Sequence, residues 1–373
     1  MKIPLCIPNI GEEEIGLVKE VLESGWLAHG PKNEQFEKEF ADYIGVKRAI
    51  TLNSCTSALY LALVAQDLKG DVVVPSFTFS ASANAIVNAG CRPVFADIDY
   101  ETCNMDPADL ERKITDKTVA VMPVHFAGQS CRMDHIMEIA EKYNLRVIED
   151  SAETLGGEFG GRKAGSFGTG CFSFFPTKNI TTGEGGMLTT NNEKLAEKVE
   201  ALRGHGMVSS TWSREKASKP WSRASVLPGH NFRMCDVLAA LGLAQLRKLD
   251  AMNEARRAHA QYLNEALAGI EGIQTPTEDP NAKHVYQMYT IKLDAEKVDR
   301  ARFVAKLKEA GIGANVHFDP PVHLQPYYSK QDGQGLPVTE RVSNSIVTLP
   351  MYPQLKREEL DYMISAIRAV LSD

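Results

Sequence analysis

The chain has 373 residues, 43% of them hydrophobic, enough for one large domain and a smaller one around sizeable cores. A formal net charge of −7 provides no field to gather nucleic acid or anionic lipid along a whole face, so an anionic substrate needs a local positive site. Seven cysteines without a CxxC pair read as reduced thiols, and the absence of HExxH, zinc spacing, a signal segment and any run of eighteen apolar residues points to a cytoplasmic protein with no catalytic metal and no membrane span.

In chain order, Ile15, Val18, Val21 and Leu22 recur at helical spacing before Gly25, which predicts an amphipathic opening helix. From about Ala49 to Asp150, β-rich runs (Val72–Val74, Pro93–Ala96, Val119–Val124, Arg146–Ile148) alternate with helical stretches, the pattern of parallel βαβ units. Between Gly206 and Pro228 lies a polar stretch of little periodicity, an active-site loop or a disordered one. After Arg233 a segment rich in Ala, Leu and Arg predicts a long helix to about Ala268. Alternation at Val285, Tyr289, Ile291 and Leu293 predicts a strand, Phe303, Val304 and Leu307 before Gly311 a helix, and Leu360, Met363, Ile364, Ile367 and Leu371 a terminal helix. The expectation is a large α/β domain with a mainly parallel sheet over residues 1–250 and a smaller α+β domain over 251–373.

Lys178 follows the apolar run Phe-Ser-Phe-Phe-Pro-Thr and precedes a polar, glycine-rich turn. A partly desolvated amine at such a strand end loses its proton more easily than an exposed one, as imine formation with a carbonyl requires; most loop lysines, however, are merely solvated. Asp150 ends the run Leu-Arg-Val-Ile-Glu-Asp, where parallel sheets face their ligand crevice and a carboxylate can hold a ring nitrogen protonated; a plain turn aspartate is the alternative. Asn53-Ser54-Cys55-Thr56-Ser57 puts hydroxyls and free N–H groups at a helix start, suited to a phosphate or simply to an N-cap, and Ser173 could add a hydroxyl. Phe79 could stack on a flat ring or belong to the core. GxxxxGK[ST], a strand-linked GxGxxG and GxSxG are all missing, which disfavours nucleoside triphosphatase, Rossmann dehydrogenase and serine hydrolase chemistry.

Taken together, Ser-Gly-Trp-Leu-Ala-His-Gly-Pro at 24–31, Asn-Ser-Cys-Thr-Ser-Ala-Leu at 53–59, Pro-Ser-Phe-Thr-Phe at 75–79, Glu-Asp-Ser-Ala-Glu at 149–153, Ser-Phe-Phe-Pro-Thr-Lys at 173–178 and Gly-His-Asn-Phe-Arg-Met at 229–234 resemble the DegT/DnrJ/EryC1/StrS family of sugar aminotransferases. The resemblance runs essentially end to end and implies the aspartate-aminotransferase-like fold (fold type I) with pyridoxal 5′-phosphate as cofactor. It implies that Lys178 tethers the cofactor and then acts as general acid/base, and that Asp150 pairs with the pyridine nitrogen. Phe79 would lie against the ring, Cys55, Thr56 and Ser173 would hold the phosphate, and Asn231 would reach the phosphate of the neighbouring subunit in a homodimer with shared active sites. The family usually has glycine at Cys55, and Gln or His at Glu153, where the side chain contacts the cofactor's 3′-oxygen; a glutamate there is protonated, bridged by water or turned toward substrate. That glutamate resembles the perosamine-synthase branch, which aminates C4 of a 4-keto-6-deoxy sugar nucleotide, with a 3-keto substrate as the alternative. An amino acid, L-glutamate in this reading, is the donor, and His317 and His323 are candidates for sugar or phosphate contact or else packing histidines. Dehydratases of the same family carry histidine in place of Lys178, which argues against that activity. A non-enzymatic sensor on the same fold would be marked by loss of Lys178, Asp150 or the phosphate-binding hydroxyls, and all are present.

Overall fold

The computed structural model describes residues 1–207, 224–330 and 335–372, so most of the expected 206–230 loop lies outside the described residues. Helix α1 (Glu12–Ser24) opens with three glutamates against the helix dipole and stops at Gly25, whose φ of 73° is a left-handed cap. The stripe expected to be buried is turned outward at Ile15 and Leu22, both more than half exposed. The rotation is set instead by Glu14, which is fully buried and accepts from Gly11 N–H, Gln245 Nε2 and Lys248 Nζ, and by Val21 beside it.

Helix α2 (Pro31–Ile44) is followed by β1 (Arg48–Leu52), α3 (Cys55–Val64), β2 (Asp71–Pro75), α4 (Ser80–Asn88), β3 (Arg92–Ala96), α5 (Pro107–Lys113), β4 (Thr118–Val121), α6 (Met133–Lys142) and β5 (Arg146–Asp150). A short hairpin, β6 (Glu158–Phe159) and β7 (Arg162–Lys163), precedes β8 (Thr169–Ser173), β9 (Gly186–Thr190) and α7 (Glu193–Arg203). Seven of these strands form one sheet in the order β1-β9-β8-β5-β4-β2-β3, parallel except that β9 runs against both neighbours. The expected βαβ alternation is therefore present, and the C-terminal ends of β1, β2, β5 and β8 open on one edge of the sheet, where parallel sheets bind ligands.

The rest of the chain holds α8 (Asp236–Leu267), β10 (Ile273–Gln274), β11 (Ala282–Lys283), β12 (Tyr289–Leu293), α9 (Arg300–Glu309), α10 (Pro337–Ser345), β13 (Ile346–Leu349) and α11 (Arg357–Ser372). Strands β10, β12 and β13 make an antiparallel sheet whose core includes Tyr289, Ile291, Phe303, Leu307, Met363 and Ile367, while β11 pairs with β6. The strand expected to include Val285 starts only at Tyr289: Val285 and Met288 spend their N–H groups on the carbonyls of Gly128 and Ala127, and Tyr286 takes φ 43°. Residue 250, the expected boundary, falls within α8, which gives Leu243, Leu249 and Met252 to one core and Ala260, Leu263 and Leu267 to the other. Ile3 also joins this second core, its N–H donating to Gly311 O and its carbonyl accepting from Gly313 N–H. No helix among the described residues is long and apolar enough to cross a membrane.

Candidate active site

Strand β5 carries Asp150 to the open edge of the large sheet, where it is buried among neutral donors. Ser82 Oγ donates to Oδ2 at 2.7 Å, Ala152 N–H to Oδ1 at 3.2 Å, and Cys55 Sγ lies 4.0 Å from Oδ1. Burial raises the carboxyl above its usual range, while the bonds from Ser82 and Ala152 oppose that rise by favouring the anion. A second carboxylate, Glu153, raises it further, and Lys178 acts in the opposite direction.

Lys178 sits in the loop between β8 and β9, which is pinned from two sides. Asn179 Nδ2 donates to Asn253 Oδ1 on α8 at 2.9 Å, and Gln287 Nε2 donates to Thr177 O at 2.6 Å. The lysine's side chain is 18% exposed, and Nζ donates to Glu153 Oε1 at 3.2 Å. Glu153 Oε2 accepts the N–H of Ala127, a residue at φ 55°, at 3.0 Å. The two oxygens of Glu153 are thus divided between Lys178 and a backbone N–H.

Helix α3 points its N-terminus at the same space. Ser54 is the N-cap, accepting from Ser57 N–H at 3.1 Å, and Cys55 and Thr56 occupy the first two helical positions, whose N–H groups have no intrahelical acceptor. Burial and the adjacent Asp150 keep the Cys55 thiol well above its usual range, so it is a weak S–H donor here. Gly186 lets β9 pack directly on this turn: a Cβ there would stand 2.5 Å from the Cys55 nitrogen.

A cavity of about 430 Å³ brings together Cys55, Thr56, Phe79, Asp150, Glu153, Ser173, Lys178 and His317. Phe79, at the N-cap of α4, is 67% exposed at its wall. His317 is pinned by Nδ1 to Thr348 Oγ1 at 2.6 Å, and burial lowers its proton affinity, which favours the neutral ring. Two expected residues lie elsewhere. His323 is buried away from the cavity, with Nδ1 2.6 Å from Ser76 Oγ and Nε2 3.4 Å from Glu340 Oε1, so the packing alternative describes it. Asn231 is exposed, bridged through its backbone to Gly204, and does not line the cavity of its own chain. Sequence reasoning passed over Thr78, Ser82 and Gln287, which also line the cavity; the only signal for the first two is their spacing around Phe79 at the entry to α4.

The model of the DegT/DnrJ/EryC1/StrS aminotransferase family matches residues 8–368. The spore coat polysaccharide biosynthesis protein SpsC of Bacillus subtilis is 44% identical over 99% of this chain and 97% of its own. Among solved structures, Helicobacter pylori PseC, an aminotransferase involved in the biosynthesis of pseudoaminic acid, superposes with a TM-score of 0.93 at 27% identity over all of both chains. The PLP-form of Streptococcus pneumoniae Spr1654 superposes with a TM-score of 0.91 at 30% identity, over 100% of this chain and 99% of that one.

Proposed function

Because the chain belongs to the DegT/DnrJ/EryC1/StrS aminotransferase family and is a pyridoxal-phosphate-dependent sugar aminotransferase, we propose that it moves an amino group from L-glutamate to the C4 ketone of a nucleotide-linked keto-deoxy sugar. The observation that carries this reading is the meeting of Lys178, Glu153 and Asp150 in one cavity. The residues suit the cofactor: an amine for its carbonyl, a buried carboxylate among neutral donors for its ring nitrogen, and a helix N-terminus with hydroxyls for its phosphate. When bound, pyridoxal phosphate supplies the electron sink that stabilises charge at the substrate carbon.

Lys178 would hold the cofactor through its amine, and as a free amine Nζ moves the proton between donor and acceptor atoms within the cavity. Glu153 receives that amine at Oε1 and would lie near the cofactor's 3′-oxygen, and its likeness to the perosamine-synthase branch at this position supports C4 over C3. Thr56, Ser173 and the N–H groups at Cys55 and Thr56 bind phosphate, Phe79 covers a ring face, and neutral His317 offers its free nitrogen to the sugar or its phosphate. Asn231, exposed and outside its own cavity, is suited to reach the phosphate site of a second copy, so the working unit is a homodimer. SpsC, named for spore coat polysaccharide biosynthesis, supports a surface glycan as the destination of the amino sugar.

The test is the visible absorbance of the holoenzyme, first with L-glutamate and then with a panel of 4-keto and 3-keto nucleotide sugars. Loss of the cofactor band with glutamate and its return with a 4-keto sugar supports the proposal. Return only with 3-keto sugars moves the amination to C3, and no response to L-glutamate or, in a repeat, to the other common amino acids leaves a sensor as the better reading.

A further inference from the structure

Asp150 has two oxygens and two kinds of holder. Oδ1 accepts from Ala152 N–H, two residues along the same chain, whereas Oδ2 depends on Ser82, 68 residues away on the first turn of α4. Three oxygens surround the single hydroxyl proton of Ser82: Asp150 Oδ2 at 2.7 Å, Thr78 Oγ1 at 2.8 Å and Phe79 O at 3.2 Å. The charged acceptor at the shortest distance takes that proton, which leaves Thr78 as the donor to Ser82. Both hydroxyls are almost wholly buried, so bulk water does not compete for either bond. The chain Thr78 to Ser82 to Asp150 therefore runs in one direction and ends on the carboxylate at the base of the cavity.

The other charged and titratable groups around Asp150 cannot substitute. Cys55 on α3 reaches it only at 4.0 Å through a weak donor, and Cys171 on β8 is a buried thiol. Glu153 repels it, and Lys178 is engaged with Glu153. We propose that Ser82 is a positioning residue for the reaction, its hydroxyl, oriented by Thr78, holding Asp150 as a charged acceptor for the cofactor's ring nitrogen. The inference rests on the role proposed for Asp150 but not on the identity of the sugar or the amino donor.

The experiment measures dissociation constants of the cofactor-free protein for pyridoxal phosphate and for 1-deazapyridoxal phosphate, which has carbon in place of the ring nitrogen. Ser82→Ala weakens binding of pyridoxal phosphate about tenfold, the size expected for one lost hydrogen bond to a charged group, and leaves the analogue's constant unchanged. Ser82→Thr restores the difference, and Thr78→Val reduces it in the same sense but by less. Equal weakening of both ligands by Ser82→Ala, or no weakening of either, overturns the proposal. If Asp150→Ala itself fails to narrow the gap between the two ligands, the assignment of Asp150 falls and the role of Ser82 falls with it, while the transamination of a keto-sugar stands untouched.

Discussion

Glu149 and Asp150 are neighbours on β5, and because successive strand residues face opposite sides of a sheet, they look into different worlds. Glu149 is fully buried and closed: Oε1 accepts from Phe167 N–H at 2.8 Å and Gly168 N–H at 2.7 Å, and Oε2 from Gly165 N–H at 2.8 Å and His125 Nε2 at 3.1 Å. The histidine's other nitrogen accepts Cys131 N–H at 3.0 Å, which fixes the ring proton on Nε2. Asp150 is nearly as buried but open: one of its three donors is a distant thiol, and the cavity lies in front of it. Burial alone does not distinguish a functional carboxylate from a structural one. What sets Asp150 apart from Glu149 is unfilled hydrogen-bonding capacity facing a cavity.

Mutations on the open face should therefore remove chemistry, and mutations on the closed face should remove stability. Lys178→Ala should lower turnover by roughly a thousandfold or more if Lys178 is the proposed tether and acid/base, while the thermal midpoint moves little. Near-normal turnover in that variant would sink the assignment. Asp150→Ala should cost about a hundredfold in turnover with cofactor still bound, and unchanged kinetics would remove its role. Glu149→Ala should instead destabilise the fold by about 3 kcal/mol, by orphaning three backbone N–H groups and His125, with activity per folded molecule largely kept. A loss of turnover in fully folded Glu149→Ala would erase the distinction between the two faces.

The smallest effect is a pH dependence. A carboxyl whose proton affinity is raised by folding favours the folded state while it is protonated, below its unfolded value, and that contribution is lost as pH climbs through the folded value. Cofactor-free Asp150→Asn should therefore be more stable than the parent at neutral pH, the gap closing as pH falls toward the ordinary aspartate range. Denaturant unfolding at several pH values checks this, and a gap that widens on acidification would mean that folding lowers the proton affinity of Asp150 instead of raising it.

Much of this site was legible because its residues sit where chain geometry is local. Asp150 ends a strand and Cys55 and Thr56 begin a helix, so run boundaries alone put them on the same edge, and the joint order of motifs linked Lys178 to them. Ser82 escaped because its partner is 68 residues away and its own context, a small polar residue in a helix, is unremarked in any period. The second hold on Glu153 likewise comes from the N–H of Ala127, a residue at φ 55° that no pattern in the sequence announces. The outward turn of Ile15 and Leu22 has the same origin: periodicity finds an apolar stripe, but the buried bonds of Glu14 to Gln245 and Lys248, more than 200 residues on, decide which way the helix faces.

The place of Ile3 in the second core sets a timetable for synthesis. Its backbone partners are Gly311 and Gly313, and Leu5, which with Cys6 lines the cavity, accepts from Met351 N–H. At about 5–20 residues per second the ribosome takes on the order of half a minute to deliver those partners. Until then Ile3 has nowhere to dock, and one wall of the cavity has yet to form. The large sheet can assemble while the chain is still being made, but the cavity closes only when residues 3–6 meet residues 311–351.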